Sequence, residues 1–255
     1  MDLGFKGKVA LISGTGSQIG FGKAVALLLA AEGCDAIAGT DVDIEGAEKT
    51  ALAVRKLGRK SIAVKADVTS KADVQKMVKK VADEYGKIDI LINVAGGVIG
   101  RGPLEEQDVE TWEKNIRLNL YGTMLVTQAV LPLMKERKYG TIVNIGSGST
   151  HMYSHGVNMY AISKIGIDLF TKQLALTEAK TGIRVNCVAP GPSPTNFIKG
   201  PEQVRQGIMD MQLKTVPMGK ATTPEDIANA AAFFASDISG DITGQVLHVS
   251  GGAVM

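Results

Sequence analysis

Short apolar runs alternate with helical patterns along this chain, and that alternation constrains the fold more than any other feature of the sequence. Each run is rich in β-branched or small residues and is bounded by Gly, Asp, Asn or Pro, which is typical of buried strands. The predicted strands are Val9–Ser13, Ala36–Thr40, Ser61–Lys65, Ile88–Val94, Gly140–Ile145, Arg184–Val188 and Gln245–Val249.

Helical patterns fill the intervals between these runs. They cover Gly22–Glu32, Glu45–Leu57, Lys71–Tyr85, Glu110–Lys138, Met159–Thr181 and Pro224–Phe234. Strand–helix alternation requires right-handed crossovers and a parallel sheet covered on both faces. The sequence therefore predicts an α/β fold, a doubly wound parallel seven-stranded sheet of Rossmann type. Ligands of such folds bind at the carboxyl ends of the strands.

Composition narrows the class of protein. The chain has 255 residues, of which 45% are apolar and 21% charged, and we expect one domain over residues 1–255. A net charge of +2 argues against a nucleic-acid partner. The two cysteines form neither a disulfide framework nor a metal-binding pattern, so we expect no metal and a cytoplasmic location. No signal-peptide pattern or membrane-length apolar run is present, so we expect no membrane partner.

A glycine-rich loop follows the first predicted strand directly. It runs from Gly14 through Ser17, Ile19 and Gly20 to Gly22 and leads into a helix. Glycines let the backbone approach a pyrophosphate, and the helix N-terminus supplies amide donors. A plain tight turn is the alternative, but the strand before the loop and the helix after it favour a dinucleotide site.

Asp41 ends the second predicted strand, where an acidic residue would bind the adenosine ribose of a dinucleotide. A carboxylate there would repel a ribose 2′-phosphate. No Arg or Lys lies in the loop before Lys23 or directly after Asp41. The sequence therefore favours NAD over NADP. Asp41 can also begin a turn and cap the following helix, and the two roles are compatible.

Polar residues that can carry chemistry lie directly after the fifth predicted strand and within the adjacent helical patterns. Tyr160 and Lys164 are four residues apart, so they share one face of a helix. Ser147 follows the strand Gly140–Ile145 and would lie beside the same cleft. Asn119 lies in an otherwise apolar helical run, where a buried amide needs partners.

These motifs together resemble the short-chain dehydrogenase/reductase family over the whole chain. They are Gly14…Gly20-Phe21-Gly22, Asp67-Val68, Asn93-Val94-Ala95-Gly96, Asn119, Ser147, Tyr160-x-x-x-Lys164 and Pro190-Gly191-Pro192-Ser193-Pro194-Thr195. Ser147 precedes Tyr160 by thirteen residues, which is similar to the spacing in the 3-oxoacyl-reductase-like branch.

The resemblance implies roles for individual residues. Asp67 and Val68 would hold the adenine, and Asn93 would line the cofactor channel. Thr195 would bind the nicotinamide carboxamide. The catalytic tetrad would be Asn119, Ser147, Tyr160 and Lys164. In that tetrad Tyr160 would be the acid/base, Ser147 would hold the substrate oxygen, Lys164 would assist Tyr160 and bind the ribose, and Asn119 would position water.

The chain departs from the family pattern in its loops. Ser13 replaces the usual Thr, and Val94 replaces the second Asn of the usual Asn-Asn-Ala-Gly. Two extra residues separate Gly14 from the later glycines, so either Ile19-Gly20 or Phe21-Gly22 would face the nicotinamide. The long loop is similar to that of the enoyl-reductase branch, but that branch spaces its Tyr and Lys more widely.

The substrate is left open by the sequence. We expect interconversion of a secondary alcohol and a ketone, with a 3-oxoacyl reductase or a cyclic or sugar alcohol dehydrogenase as alternatives and a non-catalytic regulator as a rival. Residues 193–217 resemble a substrate lid, or a peripheral helical hairpin. Near the cleft, His151 and His155 are either acid/base groups or exposed loop residues. Charged candidates for contact with an anionic substrate are Arg101, Lys199 and Arg205, and the alternative is that these residues are solvated surface charges. The resemblance also implies a homotetramer.

Overall fold

The computed structural model describes residues 2–100, 102–151, 157–195 and 202–255, with the side chain of residue 205 left undescribed. Seven strands form one parallel sheet: β1 (Val9–Ser13), β2 (Ala36–Asp41), β3 (Lys60–Lys65), β4 (Ile90–Asn93), β5 (Gly140–Ile145), β6 (Ile183–Pro190) and β7 (Val246–Val249). Their order across the sheet is β3-β2-β1-β4-β5-β6-β7. The predicted doubly wound, single-domain Rossmann-type fold is confirmed.

Helices cover both faces of this sheet. They are α1 (Phe21–Ala31), α2 (Ile44–Lys56), α3 (Lys71–Tyr85), α4 (Val109–Ile116), α5 (Gly122–Arg137), α6 (Met159–Glu178), α7 (Glu202–Leu213) and α8 (Pro224–Ala235). One core forms where α1 and α8 pack on the sheet, and a second forms under α3 and α5 on the opposite face. In the interior strand β1 all five residues are buried, as the short buried run Val9–Ser13 predicts for a strand covered on both faces.

The long helical pattern predicted over Glu110–Lys138 is interrupted. Helix α4 ends at Ile116, a π-helical turn covers Arg117–Tyr121, and α5 begins at Gly122. Within that turn, the side chain of Asn119 donates to the carbonyl oxygen of Asn115 at 3.0 Å. The helical stretch predicted over Glu110–Lys138 therefore consists of two α-helices joined by a π-helical turn, and turns of this kind occur often at functional sites.

The strand order reverses between β1 and β4. The chain leaves β1 toward β2 and β3, then returns to place β4 on the other side of β1. The loops after β1 and β4 therefore diverge and leave a crevice at their carboxyl ends, which is the position of the ligand in such sheets.

Candidate active site

At several positions the loop after β1 can accommodate only glycine. Gly14 has a φ of +75°, and a Cβ added to it would lie 2.8 Å from the backbone nitrogen of Ala95. A Cβ at Gly22 would collide with the carbonyl oxygen of Gly14. Gly20 caps α1 without a side-chain hydrogen bond from any described residue, so the first amides of the helix remain available to an anion. These features fit a dinucleotide pyrophosphate.

The extra residues of this loop fold toward α2. The side-chain amide of Gln18 donates to the carbonyl oxygens of Gly16 (3.0 Å) and Gly46 (2.9 Å), and the Thr50 hydroxyl donates to that of Thr15 at 2.8 Å. Ile19 follows this anchored stretch and is half exposed. The insertion is thus absorbed on the side of β2 and α2, and Ile19-Gly20 directly precedes the helix.

Asp41 links the loop to the end of β2. Its two carboxylate oxygens accept from the backbone N–H of Gly16 at 2.8 Å and of Asp43 at 3.0 Å. A Cβ on Gly16 would lie 2.8 Å from the carboxyl carbon of Asp41. Asp43, rather than Asp41, caps α2 by accepting from Gly46 at 3.1 Å. The acidic group is therefore held rigidly at the sheet edge where a ribose would lie.

A cavity of about 510 Å³ lies beside Asp41, at the predicted adenosine end of the crevice. It is lined by Val42, Val64, Lys65, Ala66, Asp67, Asp73, Lys76, Met77 and Lys80. Asp67 accepts from the backbone of Thr69 at 2.8 Å, while Val68 is buried against Gly122 and is not part of this lining. The sequence did not indicate the three lysines of this lining, because basic residues were expected only in the glycine loop or directly after Asp41 in the chain. Lys65 is the cross-strand partner of Asp41 in the β2–β3 pair.

The Ser147, Tyr160 and Lys164 side chains lie together at the carboxyl end of β5. Tyr160 and Lys164 are on the buried face of α6, and the Ser147 hydroxyl hydrogen-bonds to Tyr160. The Lys164 ammonium donates to the carbonyl oxygen of Ile145 at 2.6 Å and lies 5.6 Å from the centre of the Tyr160 ring. One bond to the main chain thus fixes the ammonium and leaves its other two protons for further partners.

Burial perturbs both titratable groups of this cluster. It raises the pKa of Tyr160, and the hydrogen bond from Ser147 acts in the opposite direction. It lowers the pKa of Lys164 to about 8, and negative charge on Cys187 or Asp168 would oppose that shift. Without cofactor, Tyr160 is therefore a neutral phenol at physiological pH, and tyrosinate needs further positive charge beside it.

Asn119 contacts the same cluster through the segment after β4. Its side-chain amide makes two hydrogen bonds to the backbone of Gly97. The Gly97 N–H donates to Asn119 Oδ1, and Asn119 Nδ2 donates to the Gly97 carbonyl oxygen, each at 2.9 Å. A Cβ added at Gly96 would lie 2.7 Å from Asn119 Oδ1 and 3.5 Å from Lys164 Nζ. The Asn119 side chain thus fixes the wall of the site.

Two further predicted residues have local roles. Asn93 is buried, and its amide donates to Thr127 (3.0 Å) and Asn144 (2.9 Å) beneath the crevice. The side-chain carbonyl oxygen of Asn93, Oδ1, has no hydrogen-bond partner among the described residues. The backbone N–H of Thr195 donates to Ser193 at 2.9 Å, at the start of the predicted lid. Both remain predictions as cofactor contacts.

Ser13, which stands where the family usually has Thr, holds the loop after β4. Its hydroxyl accepts from the backbone N–H groups of Val94 and Ala95, both at 3.1 Å. That hydroxyl therefore ties the end of β1 to the segment that the resemblance assigns to the cofactor channel.

The surroundings of Ser147 contain groups that sequence analysis did not assign. Asp168 lies one helical turn beyond Lys164, is 5% exposed, and accepts from the Cys187 thiol at 3.6 Å. Burial raises the pKa of its carboxyl. The spacing of Tyr160, Lys164 and Asp168 places all three on one helix face, and that signal was available in the sequence.

Of the predicted candidates for substrate contact, the side chain of His151 lies in the described part of the chain and the others do not. His151 is described: its Nδ1 lies 2.8 Å from the Thr150 hydroxyl, and its ring packs edge-on against His248 at 4.9 Å between centres. His155, Arg101 and Lys199 lie outside the described residues, as do residues 196–201 of the predicted lid and the side chain of Arg205.

The fold and this crevice define an α/β protein built to bind a dinucleotide beside a tyrosine–lysine pair. The sequence model of the family described as "Enoyl-(Acyl carrier protein) reductase" matches residues 14–254. The chain belongs to the short-chain dehydrogenase/reductase family, and it is an oxidoreductase of a family that binds a nicotinamide dinucleotide.

Relatives of this chain cover nearly its whole length. It is 41% identical over 251 residues to the (2S)-[(R)-hydroxy(phenyl)methyl]succinyl-CoA dehydrogenase subunit BbsD of Thauera aromatica, covering 98% of each chain. It is 37% identical to the 3-oxoacyl-[acyl-carrier-protein] reductase FabG of Thermotoga maritima, covering 98% of this chain and 99% of that protein. The crystal structure of levodione reductase superposes with a TM-score of 0.91 at 30% identity, covering 97% of this chain and 98% of that one.

Within the described parts of the chain, no helix is long and apolar enough to cross a membrane. The same residues contain no group of three or more His, Cys, Asp or Glu side chains placed to hold a metal ion.

Proposed function

We propose that this protein is an NAD-dependent oxidoreductase that interconverts a secondary alcohol and a ketone, with Tyr160 as the acid/base. The observation that carries the proposal is the buried Tyr160 side chain, hydrogen-bonded to Ser147 and one helical turn from Lys164. A structural tyrosine has no need of a buried ammonium near its ring face, and burying that ammonium is unfavourable.

The glycine loop and Asp41 fit a dinucleotide. Gly14, Ser17, Ile19, Gly20 and Gly22 would hold the pyrophosphate side, and Asp41 would accept from the adenosine ribose. When bound, the nicotinamide supplies the hydride chemistry and, when oxidised, a positive charge. The adenine would lie near Asp67 and Val68, while Asn93, Lys164 and Thr195 would contact the nicotinamide half.

The side chains of the cluster divide the proton chemistry among them. The Ser147 hydroxyl would donate to the substrate oxygen and stabilise the charge that develops there. Tyr160 would take the hydroxyl proton in oxidation and return it in reduction. Lys164, fixed by Ile145, would stabilise tyrosinate, and Asn119 would hold the wall and position water.

Preference for NAD over NADP is supported by the fixed carboxylate of Asp41. The two carboxylate oxygens that accept from Gly16 and Asp43 cannot swing away from a 2′-phosphate without losing both bonds. Lys65 on the neighbouring strand is the opposing consideration, because a lysine at this edge could meet a phosphate. The carboxylate is held closer to the pyrophosphate loop, so we propose that its charge prevails.

The substrate class has two candidates. The names of BbsD and FabG both specify acyl thioesters, which favours a 3-oxoacyl or hydroxyacyl substrate on CoA or a carrier protein. A cis-4-hydroxycyclohexanecarboxylate dehydrogenase of Sinomonas cyclohexanicum, 36% identical, favours a cyclic alcohol instead. Residues 193–217 would close over either substrate. A regulator without catalysis would not need the buried tyrosine–lysine pair.

We further propose a homotetrameric cytoplasmic protein. The outer face of α6 exposes Ile162, Ile165, Leu169 and Leu176, and Leu176 is 83% exposed. Several large apolar side chains exposed on one surface helix favour a protein interface there.

The test is turnover by Tyr160→Phe, measured as NADH absorbance with NAD⁺ and a panel of secondary alcohols and hydroxyacyl-CoA esters. Removing one hydroxyl while keeping the ring should lower kcat by about 10²–10⁴-fold and leave NADH binding intact. Tyr85→Phe is the matched control, because Tyr85 ends α3 away from the carboxyl edge of the sheet. Near-normal turnover by a folded, NADH-binding Tyr160→Phe protein would refute the proposal.

A further inference from the structure

The hydroxyl of Ser149 lies beside the catalytic cluster and has no place in the mechanism above. Its oxygen is 2.9 Å from the hydroxyl oxygen of Ser147, which is itself hydrogen-bonded to Tyr160. Three hydroxyls therefore form a chain that runs from Tyr160 through Ser147 to Ser149. Ser149 is partly buried and follows β5 by four residues.

Hydrogen-bond capacity at Ser147 restricts how this chain can be arranged. A serine hydroxyl has one proton to donate and two lone pairs that accept. The backbone N–H of Ser149 already occupies one lone pair of Ser147 Oγ, at 3.1 Å. One proton and one lone pair remain for two hydroxyl partners, so Ser147 must donate to one of them and accept from the other.

The protonation state of Tyr160 decides the direction. Tyrosinate can only accept, so Ser147 then donates to Tyr160 and its remaining lone pair receives the proton of Ser149. With neutral Tyr160 the opposite direction is also available, and Ser147 can then donate to Ser149, which turns its proton away from the reaction centre. Hydrogen bonds in such a chain polarise one another, so a donor at Ser149 strengthens the donation by Ser147.

We propose that Ser149 is a positioning residue. By donating to Ser147, its hydroxyl keeps the single Ser147 proton pointed into the site, toward Tyr160 before substrate binds and toward the substrate oxygen afterwards. This inference rests on the proposed function, since it assumes that Ser147 and Tyr160 act in the reaction. Ser149 would favour tyrosinate, and would sharpen Ser147 as a donor to the developing oxyanion.

The local turn does not explain the Ser149 hydroxyl. Ser147 caps the turn Gly148–Thr150 by accepting from the backbone N–H of Ser149, a bond that any residue other than proline could make at this position. The Thr150 hydroxyl adds a second bond by donating to the Ser147 carbonyl oxygen at 2.9 Å. Ser149→Ala would therefore keep the turn and remove only the hydroxyl from the chain.

The experiment is the pH profile of kcat/KM for the alcohol at saturating NAD⁺, measured for wild type, Ser149→Ala and Ser149→Thr. Loss of one ordinary hydrogen bond that favours the tyrosinate form should lower kcat/KM of Ser149→Ala about fivefold at neutral pH and raise the apparent pKa by about 0.7. The deficit should narrow at alkaline pH, and Ser149→Thr should restore the wild-type profile. Thr150→Val is the matched control for the turn, and should not move the apparent pKa.

A second measurement follows Tyr160 without turnover. Ultraviolet difference titration of the NAD⁺ complex, with Tyr160→Phe as the blank, should show tyrosinate forming at higher pH in Ser149→Ala than in wild type. An unshifted apparent pKa in Ser149→Ala, or an equal shift in Thr150→Val, would overturn the inference. A Tyr160→Phe protein that still turns over would instead refute the proposed function itself.

Discussion

Lys164 offers a prediction in which stability and activity change in opposite directions. Its side chain is 3% exposed, and burial lowers its pKa from an ordinary 10.5 to about 8. Each pKa unit corresponds to about 1.4 kcal/mol, so the charged lysine destabilises the cofactor-free fold by about 3 kcal/mol. Lys164→Met removes the charge and keeps most of the apolar stem, so this destabilisation should disappear while turnover is lost.

The sign of the pH dependence follows from proton binding. Between pH 8 and 10.5 the unfolded chain holds a proton on Lys164 that the folded protein has released, so the free energy of unfolding rises with pH over this window. Below pH 8 both states are protonated and the full destabilisation is present. The stability gained by Lys164→Met should therefore be largest at pH 7 and decrease by about 3 kcal/mol as the pH rises to 10.5.

One contact reduces the gain. Lys164 donates to the carbonyl oxygen of Ile145 at 2.6 Å, and leaving that buried acceptor unsatisfied costs about 1–3 kcal/mol at every pH. We therefore expect Lys164→Met to be more stable than wild type by about 1 kcal/mol at pH 7 and less stable at pH 10.

The assay is urea unfolding of the cofactor-free protein at several pH values and one protein concentration. Lys172→Met, a change at an exposed position on the same helix, corrects for losing a lysine from α6. The difference between variant and wild type removes the contribution of titrating groups that do not interact with Lys164, and leaves Lys164 together with its neighbours Cys187 and Asp168. A stability difference that stays constant from pH 7 to pH 10 would show that the Lys164 pKa is not depressed, and the reasoning would fail.

Two other predictions concern the cofactor and the assembly. Asp41→Asn keeps an oxygen acceptor for the loop but removes the charge, so the ratio of kcat/KM for NADP⁺ to that for NAD⁺ should rise about tenfold; wild-type protein that already prefers NADP⁺ would contradict the assignment. Leu169→Lys places a charge among the exposed apolar side chains of α6, where Leu169 is 57% exposed, and sedimentation velocity should show smaller species than the tetramer that we propose for the wild type. A wild-type protein that sediments as a stable monomer at micromolar concentration would end the assembly proposal.

Local periodicity explains why most of the fold could be predicted. Residues 9–13 and 140–145 are short runs bounded by turn-forming residues, and the strands β1 and β5 have those same bounds. A buried parallel strand shows as a continuous apolar run because both of its faces are covered. Strand β4, predicted as Ile88–Val94, is limited to Ile90–Asn93, since only this part pairs with β1 and β5.

The predicted site residues fall into two groups: those whose position a local pattern indicates, and those whose position depends on a contact with a distant segment. Tyr160 and Lys164 share a helix face because of their spacing, and Gly14 and Gly22 are required by a turn between adjacent elements. Asn119 lies instead in a π-helical turn that no local pattern indicates, and its amide holds Gly97, which is distant in the chain.

The sequence by itself determined the succession of strands and helices along the chain, the glycine turn and the helix face that Tyr160 and Lys164 share. Each of these features depends on residues that are close together in the sequence. Only the tertiary structure decided that Lys65 neighbours Asp41, that Asp168 meets the Cys187 thiol, and that Ser149 bonds to Ser147 beside Tyr160. Those contacts depend on strand register, on how α6 lies across the sheet and on side-chain rotamers. All three are set by packing between distant segments, which spacing along the chain does not record.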